Sequence, residues 1–190
     1  MRGARAFGQT FGLSIVIYVV ALACHEVMHL VTLYAMGFQG TLIVRPWRFS
    51  FVPITIDAFH AQPAQPLAFL PHIAFDLAGP ALALALLGLL TLAVRDRLAR
   101  IALVANLLVL VFYAVIEPLD VVLDAAGVDL RFLLWAEFNY GVPLLILLGA
   151  AAYAARSPRD EERELRQATW KPPRLGPVEH VQGEAGAGEG

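Results

Sequence analysis

The sequence has few of the charged residues that cover the surface of a soluble domain. Only 16% of its 190 residues are charged, whereas 58% are hydrophobic, and the mean hydropathy is +0.65. This balance excludes an ordinary soluble domain, and it excludes disorder over most of the length. We therefore expect a lipid bilayer to be the solvent for most of the chain.

Cysteine and basic patches are scarce as well. The single cysteine, Cys24, excludes an internal disulfide, so no disulfide framework holds the fold. Outside the C-terminal segment there is no basic stretch interleaved with aromatic residues, which argues against nucleic acid as a partner. No repeat with a period of about 20 to 50 residues is visible either. These absences leave a single membrane-embedded unit as the expected organisation.

Four apolar stretches are long enough to cross a bilayer as helices, which takes roughly 20 mostly apolar residues. Between the first two, β-branched and aromatic residues alternate with polar ones over about 40–59, a pattern that predicts a β-hairpin. We therefore predict an all-α, multi-pass integral protein of the cell membrane, with a short hairpin after its first span. The predicted spans cover about 11–36, 67–94, 101–123 and 132–154.

The chain is expected to divide into a transmembrane core, residues 1–155, and a flexible tail, residues 156–190. The tail is charged and rich in glycine and proline, so it cannot bury enough apolar surface to offset the entropy cost of ordering. Eleven of the 14 Lys and Arg residues lie at the N-terminus, between the second and third spans, or in this tail. The positive-inside rule therefore places both termini in the cytoplasm.

Three ionisable side chains inside the first span carry the strongest functional signal. His25, Glu26 and His29 form the His-Glu-x-x-His pattern of zinc metallohydrolases. On a helix the two histidines lie about 40° apart and one turn along the axis, so both imidazoles can reach one metal ion. Glu26 lies on the flank of that face, where a general base can act on metal-bound water. A charged side chain in mid-membrane costs roughly 2.5 to 3.5 kcal/mol, which favours a metal site over two hydrogen-bonded core histidines.

A catalytic zinc usually has three protein ligands, so a third ligand must come from another span. Depth in the membrane favours Asp120, because the first and third spans run in the same direction and place it within about a turn of the two histidines. Asp124 is the reserve ligand, and Glu117 is expected to tune the site or to hydrogen-bond a ligand. His72 and Asp76 form a rival i,i+4 pair, for which an interfacial histidine beside a helix-packing aspartate is the simpler interpretation.

Together these motifs resemble the site-2 protease family of intramembrane zinc metalloproteases. The His-Glu-x-x-His segment is followed by Leu-Ala-Gly-Pro at 77–80 and by Pro-Leu-Asp at 118–120, and the resemblance covers about residues 11–125. Asn106 is the nearest counterpart of an asparagine that the family has near this aspartate, and Val121 stands where the family has a glycine.

The resemblance implies a zinc cofactor held by His25, His29 and Asp120, with Glu26 as the catalytic base. It also implies a membrane-associated hairpin after the first helix and a membrane protein or peptide as substrate. The expected activity is hydrolysis of a peptide bond in or near a transmembrane segment, with the edge of the hairpin pairing with the extended substrate backbone.

The sequence allows two alternatives, one for the function and one for the side of the membrane on which the site lies. A catalytically inactive, metal-binding membrane regulator or adaptor of the same fold is the alternative function, although an intact Glu26 argues against it because a binding module needs no base. The resemblance implies a site near the cytosolic side of the membrane, whereas the distribution of arginines places the site toward the far leaflet.

Overall fold

Four helices and one two-stranded sheet make up the described residues, 2–50, 53–128 and 135–156, of this computed structural model. All four helices are long and apolar enough to cross a membrane, and the sheet lies between the first two, as predicted. The predicted flexible tail lies outside the described residues from residue 157 on. In chain order the elements are α1 (Arg2–Ala35), β1 (Gly40–Arg48), β2 (Thr55–Pro63), α2 (Phe69–Ala93), α3 (Arg97–Ala125) and α4 (Ala136–Ala155).

Helix α1 begins well before the predicted apolar span. It starts at Arg2 rather than near residue 11, because no proline interrupts the polar residues that precede the span. Its 34 residues are about 50 Å long, which exceeds a hydrocarbon core of about 30 Å. Apolar length therefore predicted the apolar part of α1 but not the whole helix.

The hairpin is antiparallel, with Gly40 opposite Pro63 and Arg48 opposite Thr55. Strand β2 extends beyond the predicted end near residue 59, because its last residues are held against α1. The backbone N–H of Ala61 donates to the Glu26 carboxylate over 2.7 Å, and Ala61 is fully buried. The end of β2 is thereby fixed beside the helix that carries the two histidines.

Helix α1 lies at the centre of the packing. One buried cluster joins it to α3 and α4 around Val109, Tyr113 and Leu147, and another joins it to α2 and α3 through Ala21, Ala83 and Leu110. A third cluster, Leu33 with Ala61 and Phe75, joins α1 to β2 and α2. The outer faces of the helices carry many exposed large apolar side chains, which suits a surface that faces lipid. The central position of α1 explains why its histidines are buried.

Candidate metal centre

Helices α1 and α3 bring three possible metal ligands together. His25 Nε2 lies 2.7 Å from His29 Nε2 and 3.2 Å from Glu117 Oε2, and His29 Nε2 lies 3.4 Å from the same oxygen. Tetrahedral zinc ligands at about 2.0 to 2.1 Å from the ion would be about 3.3 Å apart. The two histidine–glutamate separations match this value, and the histidine pair has to open by about half an ångström. Among the described residues, this is the group of His, Cys, Asp or Glu side chains arranged to hold a metal.

A backbone carbonyl determines which nitrogen of His29 faces the cluster. His29 Nδ1 lies 2.7 Å from the carbonyl oxygen of Phe75, and a carbonyl can only accept, so Nδ1 carries the proton and donates it. The neutral ring then has its lone pair on Nε2, which faces His25 and Glu117. A histidine that is oriented in this way by a backbone acceptor is a typical metal ligand.

His25 is the most buried member of the cluster, at 1% exposure. Its Nδ1 has no hydrogen-bond partner among the described residues, and its Nε2 faces the lone pair of His29 and the carboxylate of Glu117. The lone pair of His29 and the carboxylate of Glu117 thus converge on His25 Nε2, and a cation bound by all three atoms can take the place of the proton that this nitrogen otherwise shares with them. Two imidazoles and one carboxylate are also a donor set that suits zinc, so these residues fit the metal that the sequence predicts.

A cavity of about 280 Å³ contains this cluster and most of the residues predicted for the site. Asp120 lines the cavity one turn beyond Glu117, but its carboxylate is not part of the three-residue group. The structure thus brings Glu117, rather than Asp120, to the two histidines, and Asp124 is not in the cavity lining. His72 and Asp76 also line the cavity, with His72 Nε2 lying 3.7 Å from Asp76 Oδ2.

Glu26 lies in the same cavity, held by the hairpin. Its Oε2 accepts the hydrogen bond from the Ala61 N–H, and His60 Nδ1 lies 4.0 Å from the same oxygen. Burial lowers the pKa of His60, against the opposing effect of the Glu26 charge, and the positive charge of Arg45 lowers it further. This lowered pKa favours the uncharged form of the His60 imidazole. Sequence reasoning missed His60, because its proximity to Glu26 arises only from the packing of β2 against α1.

Asn106 is not part of the site. Its side-chain nitrogen donates to the carbonyls of Ser14 (3.1 Å) and Ala102 (2.9 Å), and it is absent from the cavity lining. It lies about 16 Å along α3 from Glu117, at about 1.5 Å per residue. Asn106 therefore links α1 to α3 at a distance from the candidate metal centre.

Helix α2 passes close to His29 at Gly79. A Cβ atom at this position would overlap the imidazole ring at Cε1 and Nε2, and the ring is held in place by the Phe75 carbonyl of the same helix. Only glycine leaves room for the ring here, which gives the Leu-Ala-Gly-Pro segment a specific packing role beside the candidate metal centre.

We predict that Gly79→Ala lowers zinc affinity by about 10- to 100-fold, the usual effect of disturbing the surroundings of a ligand. The added methyl group has to displace the His29 ring. Gly88→Ala is the matched control, because it lies in the same helix and its Cβ would meet nothing within 4 Å. Competition with a chelating dye measures both variants. Equal zinc affinity in the two variants would show that Gly79 has no bearing on the metal centre.

Comparison with protein-family models, with curated proteins and with solved structures gives no match to this chain. The site itself is therefore the basis for assigning a function. Within one cavity it combines two buried imidazoles, a carboxylate facing both of them, and a second carboxylate oriented by a strand.

Proposed function

We propose that this chain is an intramembrane zinc metalloprotease that hydrolyses a peptide bond in or near a transmembrane segment of another membrane protein. The observation that carries the proposal is the convergence of His25, His29 and Glu117 inside a bundle of membrane-length helices. Glu26 adds a carboxylate that a binding-only site does not need, which favours hydrolysis over the role of an inactive metal-binding regulator or adaptor.

His25, His29 and Glu117 would hold the zinc, with Glu117 taking the place that the sequence assigned to Asp120. Zinc, when bound, activates a water molecule and polarises the carbonyl that is attacked. The Phe75 carbonyl keeps His29 in the tautomer that ligation requires. Asp120 would remain in the cavity as a polar group near the site.

Glu26 would act as general base and then as general acid. The Ala61 N–H holds one carboxylate oxygen, which fixes the orientation of the side chain. The other oxygen would accept the proton of the attacking water and would later return a proton to the leaving amine. Because Ala61 belongs to β2, the hairpin and the catalytic carboxylate are positioned together.

The outer edge of β2 provides a place for the substrate backbone. The N–H of Ala61 points to Glu26, whereas the N–H of Ala64 points to the Gln39 carbonyl on the β1 side. Because alternate residues of a strand face opposite edges, Phe59 turns its backbone N–H and C=O away from β1, and it lines the cavity. A substrate helix hides its carbonyls in its own hydrogen bonds, so unwinding and pairing with this edge would expose them.

The test is metal-dependent proteolysis by the purified full chain. We expect stoichiometric zinc, cleavage of a reporter with a transmembrane segment, loss of cleavage when a chelator removes the metal, and recovery when zinc is returned. Cleavage that is unaffected by complete zinc removal would contradict the proposal. Stoichiometric zinc without cleavage of any reporter would favour the regulator or adaptor.

A further inference from the structure

Three arginines lie at the end of the bundle opposite the metal centre. Arg95 precedes α3, and Arg97 and Arg100 belong to its first turn, and all three are exposed. Arg97 and Glu117 are about 30 Å apart along α3, at about 1.5 Å per residue. Because α2 ends at Ala93 and α3 begins at Arg97, this arginine cluster lies where two membrane-length helices end, which is the level of lipid headgroups.

A groove of about 550 Å³ runs from the arginine cluster along the seam between α3 and α4. The walls of this α3–α4 groove are apolar, and one of them contains a glycine, Gly149, at which an added Cβ would meet nothing within 4 Å. The groove is therefore basic at one end and apolar along its length. Its apolar walls are formed by Ile101, Val104 and Leu108 of α3 and by Ile146, Gly149 and Ala150 of α4.

The positive charge of the cluster is not neutralised within the described residues, where no ion pair involves any of the three arginines. Asp96 is the acidic residue among them, and it caps α3 by accepting the Ala99 N–H over 2.8 Å. Arg100 donates through Nε and a terminal nitrogen to the Val94 carbonyl, at 3.2 and 2.9 Å, which holds its guanidinium at the mouth of the groove. Three cations against one carboxylate leave this end of the groove positive.

We propose that the α3–α4 groove binds an anionic phospholipid. The phosphate would lie among Arg95, Arg97 and Arg100, because guanidinium groups bind phosphate oxygens through charge-assisted, often bidentate, hydrogen bonds. One acyl chain would lie along the apolar walls, with the space above Gly149 giving it room. Basic pockets between transmembrane helices are a common form of site for anionic headgroups.

Lipid retention by the full chain in detergent, measured by native mass spectrometry, tests the proposal. Phosphatidylglycerol and phosphatidylcholine with identical acyl chains are compared at equal concentration. We expect preferential retention of phosphatidylglycerol and a decrease of about 25-fold in Arg95→Gln/Arg97→Gln, since each arginine near an anionic headgroup contributes about fivefold. Arg100 is left unchanged because it also holds the Val94 carbonyl.

The control for charge is Arg5→Gln/Arg156→Gln, which removes two exposed arginines at helix ends outside the groove lining. We expect it to retain phosphatidylglycerol like the unmodified chain. A decrease equal to that of the Arg95/Arg97 variant would show diffuse attraction to a basic surface and would overturn the site. Equal retention of the two lipids by the unmodified chain would overturn it as well.

Two glycine-to-leucine variants test whether the apolar part of the groove is occupied. Gly149→Leu fills the apolar part and is expected to lower retention of phosphatidylglycerol, whereas Gly88→Leu on α2, also in open space, is expected to leave it unchanged. Unchanged retention in Gly149→Leu would show that no acyl chain occupies the groove.

The acidic segment at 160–164 is the other candidate occupant. In the test variant its four acidic residues are replaced by the corresponding amides. If this variant bound phosphatidylglycerol and the unmodified chain did not, the segment would be the occupant and the proposal would be overturned. Equal binding with and without the four charges is the expected result.

Discussion

Glu117→Gln is expected to lower zinc affinity by more than about 100-fold, whereas Asp120→Asn should change it by less than about tenfold. Loss of a ligand costs more than disturbance of its surroundings, which typically costs 10- to 100-fold. Glu117 Oε2 lies 3.2 and 3.4 Å from the two histidine Nε2 atoms, while Asp120 only lines the cavity. Zinc content and competition with a chelating dye, measured on the purified full chain, provide the comparison.

The two acids form a matched pair for this experiment. They belong to the same helix, line the same cavity and are changed to their own amides, so a general effect on folding should appear in both variants. The reverse order, with Asp120→Asn losing zinc and Glu117→Gln retaining it, would make Asp120 the ligand and Glu117 a hydrogen-bonding neighbour. Asp124→Asn, outside the cavity lining, should bind zinc like the unmodified chain.

Glu26→Gln is expected to reduce cleavage of the reporter by about 10²- to 10⁴-fold, the usual contribution of a general acid–base group. Zinc affinity should remain close to that of the unmodified chain, because Glu26 is not one of the three converging ligands. The amide oxygen of glutamine can still accept the Ala61 N–H, so the hairpin should stay in place, but the amide cannot take a proton from water. Cleavage rate and zinc content are measured on the same preparation.

Asp57→Asn is the control for this variant, since Asp57 is an exposed carboxylate in the same strand as Ala61 and does not line the cavity. It should cleave at the rate of the unmodified chain. Zinc loss in Glu26→Gln would make Glu26 part of the metal centre rather than the base. Cleavage at the unmodified rate with zinc retained would remove Glu26 from the mechanism.

The third metal ligand could not be identified from the sequence alone. Counting residues placed Asp120 at the depth of the histidines, but Glu117 is three residues away, which is only about 4.5 Å along the axis and about 60° around it. Depth alone does not distinguish two such positions. The choice depends on how α3 is rotated against α1, which is set by packing around residues such as Tyr113 and Leu147.

The end of the hairpin could not be predicted from the sequence alone either. Alternation of β-branched and polar residues predicted two strands, and the structure confirms them, with β2 ending at Pro63 rather than near residue 59. The contact that extends β2 joins Ala61 to Glu26, residues 35 positions apart in the chain. No local pattern reports a hydrogen bond of that kind.

The amino-acid order alone was enough to predict the four apolar helices, the hairpin between the first two, and the helix that carries the His-Glu-x-x-His motif. These are consequences of local composition and periodicity, which act over a few turns of the chain. The three-dimensional packing was needed to show that Glu117 faces the histidines, that Gly79 makes room for His29, and that Ala61 holds Glu26. Each of these contacts depends on the rotation and packing of segments that are far apart in sequence.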